Sequence, residues 1–100
     1  MAFFADIIGA DEADRIGLVN RVVADDEIDA FVDGWARRLL EAPPIALAMT
    51  KRLLNNSLEV TMEEALDDEG MAQTVNFGTQ DTMEAMTAFV EKRSPNFRGR

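Results

Sequence analysis

The sequence predicts a mostly α-helical chain, with at most one short strand near residues 18–23. Three observations carry that reading. Apolar residues recur at three- and four-residue spacing through residues 26–41, 45–58, 62–75 and 83–93, the period of helices with one apolar face. Start and stop signals separate these stretches: Pro43-Pro44, Asn55-Asn56-Ser57, Thr61 with Glu64, and Ser94-Pro95. Only Leu18 to Val23, "LVNRVV", is rich in branched residues and bounded by turn formers, Gly17 on one side and Asp25-Asp26 on the other, so it reads as a short strand or an extended link.

In chain order, "MAFFADII" at residues 1–8 is apolar and short, so its period does not choose between helix and strand. Phe3, Phe4, Ile7 and Ile8 read as a core segment. Gly9 is an acceptable N-cap, Asp11 and Glu12 suit the first turn of a helix, and Ile16-Gly17 supplies a left-handed stop. Asp11, Glu12 and Asp14 are therefore dipole partners rather than a carboxylate site. From Asp26 to Glu41, Ile28, Phe31, Val32, Trp35, Ala36, Leu39 and Leu40 form a stripe in which Trp35 is the expected core anchor.

Pro43-Pro44 then bends the chain and opens the next helix, where a proline lacks only a donor that is unpaired anyway. Ile45, Ala46, Met49, Leu53 and Asn56 share its inner face, and Lys51 and Arg52 project elsewhere as helix-end charges. Thr61 and Glu64 form a capping box for a long helix reaching Phe77-Gly78, with Met62, Ala65, Leu66, Ala72 and Val75 as its apolar face. Glu69 falls inside that stripe, where a carboxylate needs a partner or a turn toward the helix edge. Asp81 is the expected cap of the last helix, Met83, Met86, Phe89 and Val90 its apolar side, and Ser94-Pro95 its end.

Composition limits the chemistry. The 100 residues carry 19 acids against 10 bases and neither cysteine nor histidine, which removes disulfides, a thiolate nucleophile, and the commonest general base and metal ligand. No catalytic or metal-ligating set emerges. A net charge of −9 argues against nucleic acid as a partner, and no apolar run or leader pattern points to membrane or export, so a cytoplasmic protein is expected. The charge is unevenly placed: residues 92–100 hold Lys92, Arg93, Arg98 and Arg100 with no acid. A tail opposite in sign to its body points to an anionic partner.

Four segments carry a resemblance: "ADEADRIGLVNRVV" at 10–23, "ARRLLEAPPIALAMTKRLLN" at 36–55, "EEALDDEGMAQ" at 63–73, and "DTMEAM" followed by "AFVEKRSPNF" at 81–97. In this order and spacing they resemble the C-terminal end of the enoyl-CoA hydratase/isomerase (crotonase) family, over nearly the whole chain. Two positions depart from the pattern: Phe4-Ala5 stand in place of a "TG" pair, and Ala85 follows Glu84 where the family has glycine. The resemblance implies that residues 1–100 are a single helical C-terminal region of a crotonase-like α/β fold. The oxyanion-hole amides and catalytic carboxylates would lie in a preceding portion, which leaves the isolated chain inactive.

The resemblance further implies an enzyme acting on acyl-CoA thioesters in fatty-acid metabolism, with coenzyme A as part of the substrate and no bound cofactor. It implies a homo-oligomer as well, a trimer or hexamer for the parent enzyme and a dimer or trimer for the fragment. Phe89 and Lys92 match the aromatic and the lysine that such C-terminal helices lend to a coenzyme A pocket. The alternative reading is a free-standing helical interaction module without catalysis.

Overall fold

The computed structural model describes residues 3–100, and the chain divides into two compact units, Met1–Ala36 and Arg37–Arg100. No strand occurs among the described residues. In the first unit α1 (Ala10–Arg15) starts after Gly9 in extended conformation and ends as expected at Gly17, whose φ is +73°. Gly17 N–H donates to the Asp14 carbonyl at 3.0 Å and Leu18 N–H to that of Ala13 at 2.8 Å. This is the Schellman pair that a left-handed residue makes possible.

The stretch 18–23 is a bend followed by residues without regular structure. Its branched residues favour extended backbone, but β structure needs a ladder partner and none pairs with it. The expected core segment at the start is overturned: Phe3, Phe4 and Ile7 are 97%, 84% and 100% exposed. Met1 and Ala2, part of that same reading, lie outside the described residues.

α2 (Ile28–Leu40) runs across the boundary between the units and begins two residues later than its sequence signals, after a turn at 25–27. Its stripe has helical spacing, and the Phe31 and Trp35 rings meet one turn apart, tilted by 46° with centroids at 5.0 Å. Trp35 is nevertheless 43% exposed and Val32 55%, so Trp35 is not a core anchor in this chain. Periodicity identifies the face but does not supply a layer to bury it.

The second unit is built from α3 (Pro44–Asn56), α4 (Met62–Phe77) and α5 (Gln80–Glu91), with α3 packed on α4 and α4 on α5. Pro43 is the N-cap of α3 and Pro44 its first residue; Ile45, Ala46, Met49, Leu53 and Asn56 face inward as their spacing predicts. The capping box is formed in full, with Glu64 N–H donating to Thr61 Oγ1 at 3.2 Å and Thr61 N–H to Glu64 Oε2 at 2.9 Å. The Thr61 N–H foremost, and then the Thr61 hydroxyl, which also donates to Glu64 Oε2 at 2.9 Å, hold the Glu64 carboxyl below its usual range.

α4 and α5 turn faces inward that their large apolar residues do not mark. On α4 the less exposed positions are Ala65, Asp68, Ala72 and Asn76, while Met62, Leu66, Met71 and Val75 lie outward, 50–77% exposed. On α5 they are Asp81, Thr82, Glu84, Ala85 and Ala88, and Met83, Met86, Phe89 and Val90 are exposed. Small residues let helices approach closely, and one such position, Ala88, is only 1% exposed. The expected apolar faces exist, but this chain does not cover them.

Two boundary assignments for α5 are corrected as well. Thr79 is the N-cap, its Oγ1 accepting from Thr82 N–H at 3.2 Å, and Asp81 sits inside the first turn. The helix ends at Glu91, before Ser94-Pro95, because Lys92 takes a left-handed conformation with φ 53° and ψ 41°. Residues 93–100 then return along α5 as an irregular strap.

Candidate functional site

The strap is fastened to α5 by two carboxylates one helical turn apart. Glu84 accepts both terminal nitrogens of Arg93, at 2.6 and 2.9 Å, and the Asn96 N–H at 2.8 Å. Asp81, 4% exposed, receives the Arg98 N–H on Oδ1 at 2.7 Å and the Gly99 N–H on Oδ2 at 2.8 Å. The Arg100 main-chain oxygen closes the run, accepting from the first-turn amides of Gln80 at 2.7 Å and Asp81 at 3.3 Å. These bonds satisfy orphan donors at the α5 N-terminus and in the strap together.

The pairing sets the electrostatics. The Arg93 side chain, then the Asn96 amide, holds the Glu84 carboxyl at about 2. Glu84 and then Glu91, which accepts from Arg93 Nε at 2.6 Å, raise the Arg93 guanidinium above its ordinary value. One positive residue of the tail is thus committed to structure.

Opposite the fastened end is the turn carrying Phe89 and Lys92. Phe89 is 86% exposed, three residues before Lys92 and one turn from the helix end. Lys92 N–H donates to the Phe89 carbonyl at 3.3 Å and Arg93 N–H to that of Ala88 at 3.0 Å. This repeats the Schellman geometry of Gly17, with lysine in the position glycine favours. A Cβ in the left-handed region costs about 1–2 kcal/mol, and the Glu84 clamp on Arg93 follows one residue later. The structure therefore brings Phe89 and Lys92 together at one exposed helix end.

Glu69 is exposed, turned to the helix edge, and Lys51 and Arg52 are exposed on α3. No cluster of three or more potential metal ligands occurs among the described residues, and no helix is long and apolar enough to cross a membrane. The roles of Asp81 and Glu84 are invisible to sequence reading. Their only signal is the i, i+3 spacing of two acids ahead of a basic tail.

The family model for enoyl-CoA hydratase/isomerase matches residues 1–100. The chain is 41% identical over 97 residues to a crotonyl-CoA hydratase of Syntrophomonas wolfei, covering 97% of this chain and 37% of that relative. It is 34% identical over 102 residues to a methylmalonyl-CoA decarboxylase of Escherichia coli, covering 99% of this chain and 39% of the relative. The crystal structure of an enoyl-CoA hydratase from Bacillus anthracis superposes with a TM-score of 0.87 at 31% identity, covering 91% of this chain and 35% of that one. The chain therefore spans little more than a third of the length of these relatives, and its helices are a helical fragment of the crotonase fold. With the whole of residues 1–100 matched, the chain belongs to the enoyl-CoA hydratase/isomerase family.

Proposed function

We propose that the chain is the C-terminal, oligomerisation and pocket-covering region of an enoyl-CoA hydratase-like enzyme that acts on acyl-CoA thioesters in fatty-acid metabolism, and that it works as one helical region. The observation that carries this reading is the α5 end: an 86% exposed Phe89 beside Lys92 in a strained left-handed turn. Strained backbone concentrates where a side chain has a task. In the assembled enzyme the Phe89 ring covers the nucleotide or pantetheine, and the Lys92 ammonium meets phosphate as a compact charge. The apolar faces of α2, α4 and α5 supply contacts between copies, and the cytoplasm is the compartment this reading implies.

Crotonase chemistry also needs two amides aimed at a thioester oxyanion and acid–base side chains. The chain by itself is accordingly expected to leave crotonyl-CoA absorbance unchanged. A protein-dependent loss that survives repurification would instead locate the chemistry in these residues. The binding role is tested by Lys92→Glu in the full-length enzyme, which keeps a Cβ at the left-handed position while inverting the charge. KM for acyl-CoA is expected to rise about tenfold or more with kcat little changed, the pattern of a contact equal in ground and transition states. An unchanged KM at low ionic strength returns Lys92 to an ordinary surface charge.

A further inference from the structure

Once Arg93 is bound to Glu84 and Lys92 stands at the turn, two of the four tail cations are unaccounted for. Arg98 and Arg100 are exposed, and neither guanidinium makes an ion pair or hydrogen bond among the described residues. The strap alternates with a period of two: Asn96, Arg98 and Arg100 line one open groove of about 520 Å³ against α5. Phe97 and Gly99 are the less exposed residues of the strap, and a Cβ on Gly99 would lie 2.8 Å from Pro44 Cγ at the start of α3. Arg98 and Arg100 thus flank the left-handed Gly99 and both line the groove.

The rest of the lining decides what such a groove accepts. Gln80, Thr87 and Asn96 add neutral hydrogen-bonding side chains, and Met83 is the one apolar lining residue. Asp81 and Glu84 also line it, but both oxygens of each already accept hydrogen bonds from the strap. Arg93, which also lines the groove, pairs with Glu84, and strap amides solvate Asp81, while the Arg98 and Arg100 guanidinium groups carry no ion pair or hydrogen bond among the described residues. Guanidinium forks match phosphate oxygens bidentately, and two forks on one face suit a ligand with more than one phosphoryl group.

We infer that the groove between α5 and the strap is a binding site for a compact phosphate-bearing polyanion, held by Arg98 and Arg100 with Gln80 and Asn96 alongside. Phe89 and Lys92 lie outside its lining, so the site does not depend on their proposed role. The surrounding body is acidic, which makes binding salt-sensitive and local to the strap.

Titration of the 100-residue chain with sodium tripolyphosphate at low ionic strength, followed by amide NMR, tests this. Saturable shifts are expected at Gln80, Asn96 and Arg98. Arg98→Gln and Arg100→Gln should each weaken binding about tenfold, by loss of a charge-assisted contact, with Arg98→Lys intermediate because it loses the fork. Lys51→Gln, the same charge change on α3, should leave affinity unaltered. Retained amide dispersion in each variant confirms the fold. Absence of saturation, shifts confined to other basic residues, or an affinity indifferent to both arginine variants would overturn the site.

Discussion

Gly99 and Gly17 share nearly the same positive φ, +71° and +73°, yet differ in what surrounds them. A Cβ at Gly17 meets nothing within 4 Å, whereas one at Gly99 lies 2.8 Å from Pro44 Cγ. Gly17→Ala should therefore cost only the left-handed penalty, about 1–2 kcal/mol less the gain from a stiffer unfolded chain. Gly99→Ala adds a collision with a rigid ring, and its expected signature is local: the strap lifts, and the Arg98 amide held by Asp81 exchanges faster. Equal protection of that amide in the two variants would show that the Pro44 contact does not seat the strap. Asp81→Asn should act at the same place, because a buried carboxylate accepting two N–H groups is replaced by a side chain with one acceptor. A loss of about 1–3 kcal/mol is expected in denaturant unfolding.

Helix by helix, the signals that survived into the structure are those that act locally. Thr61→Ala should destabilise by about 1 kcal/mol, seen as a lower urea midpoint, since both capping-box bonds lie within four residues. α3 was equally legible, because Pro43-Pro44 fix its start and its inner face is the apolar one. The inner face of α4 was legible only in part, since Ala65 and Ala72 of its expected apolar face pack inward while Met62, Leu66 and Val75 point out, and that of α5 was not, since Ala85 and Ala88 pack inward while the larger residues point out. At 18–23 the residues left a short strand and an extended link open, because composition alone does not show whether a ladder partner exists. The strap was illegible for a different reason. Its bonds join Asp81 to amides 17 and 18 residues away, and a backbone N–H carries no sequence signature. Its dependence on acid follows from Glu84, whose carboxyl sits at about 2 against an ordinary 4.5. A depressed folded value means that the stabilisation is complete above about pH 4.5 and fades as pH falls toward 2. Amide exchange at Asn96 should accelerate through that window in the wild type, and in Glu84→Gln it should be fast and pH-insensitive once intrinsic exchange is corrected for.

For the molecule as a whole, the imbalance is between apolar surface and cover. Ala13 and Ala88 are the only buried hydrophobic residues described, and no large side chain is fully buried. Leu40, Leu58, Phe89 and Val90 are between 79% and 90% exposed, with Val32, Leu39, Leu66 and Met71 more than half exposed. Single exposed apolar residues are ordinary, but several aligned on one face of a helix mark surfaces that bind something. The net charge of −9 opposes association at low salt and less so when screened. The chain should therefore self-associate, with a weight-average mass in sedimentation that rises with concentration and with added salt. Charging the α2 stripe by Val32→Glu with Leu39→Glu should lower that mass at fixed concentration if α2 contributes, whereas Asp33→Lys, at an exposed polar position of the same helix, should not. A strict monomer at high concentration, without binding of a dye that reports apolar surface, would mean these faces are tolerated in water as they stand.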